Sequence, residues 1–280
     1  MNVTIIKIGG SIITHKHSGR PTLATGAVRR LARELVDLHR SNRLGPCILL
    51  HGAGSFGHPL VFRHKLNGRR LSRETISPVT QTIQRVNRLT SLLVEELLRA
   101  GLPRGSSLRG LPVVPLQTTS MVTGRDSQWK FLGKKILARL LRSGTIPVMS
   151  GQLVISDDGQ STVMSADRLM MILAKIFKTT RLIFCTDVDG VYKIFPPRVG
   201  ESHIKKLDRP ALMRLIHAPN NPRHIRTNVS EVDVTGAMTG KLREILNIKN
   251  ATVAIVNGWK AGRLRSAFGS KPQGTMIRLK

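Results

Sequence analysis

The sequence predicts an α/β fold built on a mainly parallel central sheet. Short apolar runs of strand length alternate with longer segments whose apolar residues recur at helical spacing. Gly and Pro punctuate the joins, as at Gly45-Pro46 and Gly101-Leu102-Pro103. At 280 residues the chain can bury a large core in one domain or two coupled lobes.

Val3 to Ile8 reads as the first strand. A helix follows with Leu23, Ala27, Leu31, Leu35 and Leu38 on one face, and then the strand Cys47 to Leu50. From about Pro78 a long helix carries a stripe of Val79, Ile83, Val86, Leu89, Leu93 and Leu97. Short strands are expected near Val113-Val114 and over Ser120 to Val122, then a helix over Lys134 to Arg142 and a strand over Ile146 to Met149. Gln152 to Ile155 pairs back around the turn Asp157-Asp158-Gly159. Asp167 stands at the start of a helix with Leu169, Ile172, Leu173 and Ile176 on its apolar face, ahead of the strand Leu182 to Cys185. Pro196 to Asn228 is polar and rich in Pro, Arg and His, with only Ala211 to Ile216 helical in pattern; a mobile surface excursion is expected there. The alternation resumes with a helix over Val234 to Leu246, a strand over Thr252 to Val256, a short helix over Arg263 to Phe268 and a last strand over Thr275 to Leu279. No internal repeat divides the chain, and the change of motif type sets an expected boundary between 1–178 and 179–280.

Cys47 and Cys185 each end or begin an apolar run, where a thiol packs as a small hydrophobe, so neither a structural disulfide nor a cysteine metal site is expected. No stretch of eighteen apolar residues occurs, and the start lacks the pattern of a secretory signal; a soluble, cytoplasmic protein is expected. Lys and Arg number 45 against 16 Asp and Glu, a net +29 that attracts anions of every kind. These charges are scattered rather than gathered in a tail, and aromatic residues make up only 4%, so the stacking platform of a single-strand binder is missing. Nucleic acid remains a partner the charge permits and the composition does not favour.

Two strand-to-glycine junctions carry the chemistry. Lys7-Ile8-Gly9-Gly10-Ser11 brings backbone amides and a cation to the end of the first strand, and Lys16 follows. His51-Gly52-Ala53-Gly54-Ser55-Phe56-Gly57-His58 repeats the arrangement at the second, with Ser55 placed to cap a helix and His58 placed to donate to an anion. Each loop alone also reads as a plain turn, and His58 as a local packing residue. Facing one another, the two loops would hold a donor and an acceptor phosphate in line. No Walker pattern occurs. Gly52, Gly54 and Gly57 satisfy Gly-x-Gly-x-x-Gly by letter, but Glu74, at the right distance for a dinucleotide fold, ends no strand.

The order of these loops with Ser165-Ala166-Asp167, Thr186-Asp187-Val188-Asp189-Gly190-Val191-Tyr192, Asp233-Val234-Thr235-Gly236-Ala237-Met238, Lys241, Val256-Asn257-Gly258 and Gly262-Arg263-Leu264 resembles the isopentenyl phosphate kinases of the amino acid kinase superfamily. The resemblance spans nearly the whole chain, and the loop ending in His58 narrows it. It implies an open αβα sandwich, an acceptor-binding lobe over 1–178, a nucleotide-binding lobe over 179–280 and a homodimer. It implies ATP and Mg²⁺ as cofactors, with no metal ligand assigned to the protein. By the same resemblance Lys7, Ile8, Gly9, Gly10, Ser11 and Lys16 handle the ATP phosphates, with Gly54, while Asp187, Tyr192, Ala237 and Lys241 lie along the nucleotide. Ala53, Gly54, Gly57, His58 and Ala166 hold the acceptor phosphate, and Asp167 orients the lysines, so that Lys7, Lys16, His58 and Asp167 form the catalytic set. Without the resemblance, Asp187 and Asp189 read equally as a polar turn.

Three positions depart from the family pattern. Gln152 stands where relatives usually carry Asp, and Ala166 and Ala237 where they usually carry Gly. The reaction implied is transfer of the ATP γ-phosphoryl group to isopentenyl phosphate. Its anionic nucleophile needs alignment and charge neutralisation rather than a base. The stripe from Val79 to Leu97 offers either an apolar slot for the prenyl tail or simply core. Two alternatives stand beside this reading. One is a kinase acting on another small phosphate or phosphonate, as the fosfomycin kinases, which resemble the second loop, do. The other is a catalytically weakened anion- or RNA-binding protein.

Overall fold

The computed structural model describes residues 2–15, 20–100, 110–125, 128–193, 200–217 and 238–279. In chain order, β1 (Thr4–Ile8) runs into a helical turn, α1 (Gly10–Ile13), and then α2 (Thr25–Arg40). β2 (Cys47–His51) leads to α3 (Gly54–Arg63), the short β3 (Arg69–Arg70) and the long α4 (Ile76–Arg99). Next come β4 (Val113–Pro115), α5 (Thr118–Met121), β5 (Val122–Thr123), β6 (Lys130–Phe131), α6 (Lys134–Arg142) and β7 (Ile146–Ser150). β8 (Gln152–Ile155) and β9 (Gln160–Met164) precede α7 (Ala166–Ile176) and β10 (Arg181–Thr186). The remainder comprises β11 (Lys206–Asp208), α8 (Arg209–His217), α9 (Met238–Leu246), β12 (Ala251–Asn257), α10 (Arg263–Ser266) and β13 (Gly274–Leu279).

Eight strands form the main sheet in the order β11-β13-β12-β10-β1-β2-β7-β4. All neighbours are parallel except β12 and β13, whose antiparallel register runs from Ala251 opposite Leu279 to Val256 opposite Gly274. The central strands are buried on both faces, which is why they read as mostly apolar runs rather than alternations. Strand periodicity divides their side chains between two cores. Ile5, Leu50 and Phe184 join the core that includes residues of α6, α7, α8 and α9. Ile6, Ile8, Leu49 and Cys185 join the core that includes residues of α1, α2, α4 and α10. Helices thus cover both faces, the open αβα sandwich that the family resemblance implies.

The alternation in β1 has a functional consequence. With Ile6 and Ile8 on the α2 side, Lys7 falls on the same face as Ile5, toward α7 and α9. At the C-terminal ends of the parallel strands the chain enters its glycine loops, where open α/β sheets offer a crevice for ligands. The antiparallel pair β8 and β9, joined on its far side by β3, stands over that edge as a separate three-stranded sheet.

Two expectations are corrected. Ser120 and Met121 lie in the helical turn α5 rather than in a strand, which starts only at Val122; the Thr118 hydroxyl donates to the Ser150 carbonyl at 2.6 Å and anchors that turn. The polar stretch beginning at Pro196 is not wholly an excursion. Residues 200–217 supply β11 at the sheet edge and α8, with Leu207, Leu212 and Ile216 buried. The rest of that stretch, 196–199 and 218–228, lies outside the described residues. Among the described residues no helix is long and apolar enough to cross a membrane.

Candidate active site

The two glycine loops meet backbone to backbone. A Cβ on Gly10 would lie 2.5 Å from the Gly54 nitrogen, and one on Gly52 would lie 2.6 Å from the Gly10 nitrogen. Glycine is needed here for approach between loops, since the amides of Gly9 and Gly52 are already committed to the carbonyls of Cys185 and Ile8 at 2.8 and 3.0 Å. Gly54 adds a conformational demand, with φ at +51° at the start of α3. Thr14 stitches the junction: its hydroxyl donates to the Gly10 carbonyl at 2.8 Å and accepts from the Ser55 amide at 3.1 Å. Ser55 does not cap α3. The N-cap is Ala53, with no side-chain cap bond, and Ser55 Oγ is buried without a hydrogen-bond partner among the described residues.

Beside this junction a cavity of about 410 Å³ is lined by both loops, the hairpin β8–β9, the start of α7 and the strand end at Thr186. Asp167 is its electrostatic centre. One carboxylate oxygen pairs with Lys7 Nζ at 3.0 Å and the other with Lys241 Nζ at 2.6 Å. Burial pushes the Asp167 carboxyl upward, but the two ammonium groups outweigh it and hold the group well below the usual carboxylate range. Burial, and then the like charge of Lys7, lower Lys241, whose ammonium also sits 5.1 Å from the centre of the Phe184 ring. Local structure explains the arrangement. Ser165 caps α7 by accepting from the Arg168 amide at 3.0 Å, which points the first turn of α7, with Asp167, at the end of β1.

Of the residues expected in the site, Lys7, Gly9, Gly10, Ser11, Ala53, Gly54, Gly57, His58, Ala166, Asp167, Asp187 and Lys241 all line this cavity. Ile8 turns its side chain into the core and contributes only backbone. Tyr192 stands outside the lining, edge-on to His203 with ring centres 6.2 Å apart. Lys16 and Ala237 lie outside the described residues. Gln152, one of the departures from the family pattern, also lines the cavity and donates from Nε2 to Asn87 Oδ1 at 2.7 Å.

Several contributors carry no sequence signal of their own. Thr14 and Asn87 act through partners tens of residues away, which spacing alone does not reveal. His51 is fully buried at the end of β2; its Nδ1 donates to the Gly52 carbonyl at 3.0 Å and its Nε2 meets the Thr90 hydroxyl at 2.9 Å. Burial lowers its pKa from 6.5 to about 4, so it is a neutral strut. Asp189 ties the loop after β10 to the loop after β12 through Asn257 and Lys260. Glu34 is buried too, and its two oxygens accept from the amides of Gly262 and Arg265, both at 2.9 Å.

A buried carboxylate holding two ammonium groups, set against paired glycine loops, suits transfer of an anionic group whose charge must be neutralised in flight. The chain belongs to the amino acid kinase family, which matches residues 2–257. Membership makes it a phosphotransferase that draws on ATP. Among curated relatives, the isopentenyl phosphate kinase of Methanothermobacter thermautotrophicus is 28% identical over 282 residues, 98% of each chain. That of Methanocaldococcus jannaschii is 25% identical over 280 residues, again 98% of each. A solved isopentenyl phosphate kinase structure superposes with a TM-score of 0.76 at 24% identity, covering 99% of this chain and 100% of its own, and shows the same fold.

Proposed function

We propose that the protein transfers the γ-phosphoryl group of ATP to isopentenyl phosphate, giving isopentenyl diphosphate and ADP. The observation that carries this reading is the Lys7–Asp167–Lys241 bridge facing two glycine loops in contact, one of which ends in His58. An oxygen of the acceptor phosphate attacks the γ-phosphorus, and the bond from that phosphorus to the bridging oxygen breaks, its electrons leaving on ADP. The nucleophile is already anionic, so the protein supplies alignment and positive charge.

In this reading Lys7, Lys16, Gly9, Gly10, Ser11 and the backbone of Ile8 take the ATP phosphates, while Asp187, Tyr192, Ala237 and Lys241 line the nucleotide's path. Ala53, Gly54, Gly57, His58 and Ala166 hold the acceptor phosphate. Asp167 keeps the two lysines apart and aimed. Residues 1–178 form the acceptor lobe and 179–280 the nucleotide lobe of a cytoplasmic homodimer. In this reading Mg²⁺ arrives with the nucleotide, and no protein side chain is assigned to it. Bound to the nucleotide's phosphates, it would neutralise part of their charge.

A coupled ADP-release assay over a panel of isopentenyl phosphate, other short phosphomonoesters and fosfomycin tests the reading. Turnover led by isopentenyl phosphate or another short branched phosphomonoester supports a phosphate acceptor. Turnover confined to fosfomycin, or ATP-independent binding of RNA with no turnover, replaces it.

A further inference from the structure

None of the residues from Asn257 to Arg265 lines the cavity, but the chain there is tied to two elements that do. The Gly258 amide donates to the carbonyl of Thr186, at the end of β10, at 2.7 Å. Asn257 Nδ2 and Lys260 Nζ both reach the Asp189 carboxylate, at 3.1 and 2.9 Å. The Trp259 amide donates to Asn257 Oδ1 at 2.8 Å, which fixes the orientation of that carboxamide. A Cβ on Gly258 would lie 3.0 Å from the Ile12 side chain, so this backbone also packs against α1, whose first residues, Gly10 and Ser11, line the cavity.

The segment is held in turn by α2, on the face of the sheet away from α7 and Asp167. Arg30 Nη2 donates to the Gly258 carbonyl at 2.6 Å and Nη1 to the Lys260 carbonyl at 3.4 Å. Glu34, one turn further along α2, is buried, and its oxygens take the amides of Gly262 and Arg265. Arg30 Nη1 also lies 3.6 Å from Glu34 Oε1. A buried carboxylate is costly unless charge and hydrogen bonds compensate it. Here an arginine and two amides do so, and backbone groups of Gly258, Lys260, Gly262 and Arg265 are fixed to one helix face. An apolar pair would fill the same space and fix none of them. The acceptor side hangs on other contacts: the Gly151 amide donates to the His51 carbonyl at 2.8 Å, and the Ser161 hydroxyl to the Leu66 carbonyl at 2.5 Å.

Resting on the reading that the first glycine loop and Asp187 take the nucleotide, we infer that Arg30 and Glu34 are positioning residues that set the affinity for ATP from outside the site. Through the segment 257–265 they hold the loop after β10 and the start of α1 in place, and they leave the acceptor side unchanged.

The test uses the full chain and Arg30→Met, which keeps an extended side chain on α2 and removes every donor. ATP with Mg²⁺ is titrated calorimetrically in the absence of acceptor. Steady-state ADP release is then measured with ATP and isopentenyl phosphate varied in turn, well below the melting temperature of both proteins. The expected result is a Kd for ATP raised by on the order of tenfold, a KM for ATP that moves with it, and a KM for isopentenyl phosphate within about twofold of wild type. Glu34→Gln keeps the size but sets an NH₂ group against a backbone amide; it is expected to give the same split, and it decides the matter where Arg30→Met does not fold. An ATP Kd within about twofold of wild type, whatever the change in melting temperature, or an equal rise in both KM values, overturns the proposal and leaves the pair as a brace of the fold. Failure of the wild type to phosphorylate isopentenyl phosphate overturns the acceptor reading alone, and the ATP Kd still decides this one.

Discussion

Asp167 is one carboxylate answering two buried ammonium groups, and removing its charge leaves both cations facing one another. Asp167→Asn is expected to lower kcat by about a hundredfold or more, because the cations no longer hold their positions around the moving phosphoryl group. It is also expected to cost about 3 to 5 kcal/mol of stability, read by denaturant unfolding. His51 gives a separate residue-scale signature. Its folded pKa of about 4 lies below the ordinary 6.5, so the folded state refuses a proton that the unfolded chain accepts. The stability contributed by its neutral burial is fully present above pH 6.5 and is lost as pH falls toward 4, by about 3 kcal/mol. Asp167 shifts in the same direction but titrates below the usual carboxylate range, so it does not contribute to the slope between pH 6.5 and 5. Unfolding free energies measured across that window are expected to slope for the wild type and to slope less for His51→Gln, with a remainder from His203, which burial also lowers.

At the scale of elements, the contact between the two loops separates glycines that look alike in the sequence. Gly10→Ala drives a methyl group onto the Gly54 backbone, which cannot swing away, and is expected to cost about 1 to 3 kcal/mol and most of the activity. Gly26→Ala is the control: nothing lies within 4 Å of its added carbon, it sits in α2, and about 0.5 kcal/mol of stabilisation is expected from helix propensity. Paired melting curves check both. The same scale shows what could be read in advance. Buried parallel strands such as β1, β2 and β10 are apolar in most of their positions, and the α4 stripe repeats at helical spacing over its whole length, so local pattern and tertiary role agree. β11 was hidden because an edge strand of three residues needs only Leu207 to be buried, and its polar flanks read as a loop. Asp167 as the partner of the lysines was legible only through the family resemblance, since its pairing with Lys7 and Lys241 is long-range, and the stitch from Thr14 to Ser55 is a long-range contact that no local spacing encodes.

Across the whole molecule, a net charge of +29 surrounds a site that must gather two anions. Steering of this kind is screened within about 10 Å at 0.1 M salt, so kcat/KM is expected to fall by roughly tenfold between low and high ionic strength while kcat changes little. A salt titration of the initial rate at low substrate checks it. The sheet also joins the parts, since β1 pairs with β2 on one side and β10 on the other, and places Lys7 between the loop that ends in His58 and the strand end at Thr186. On the functional reading, His58 meets the acceptor phosphate and not the nucleotide. The most direct test is steady-state ADP release by His58→Ala with isopentenyl phosphate and ATP varied in turn. A KM for isopentenyl phosphate raised by on the order of tenfold or more, with the KM for ATP within about twofold of wild type, is the predicted result. An unchanged acceptor KM, or an equal rise in both, contradicts it.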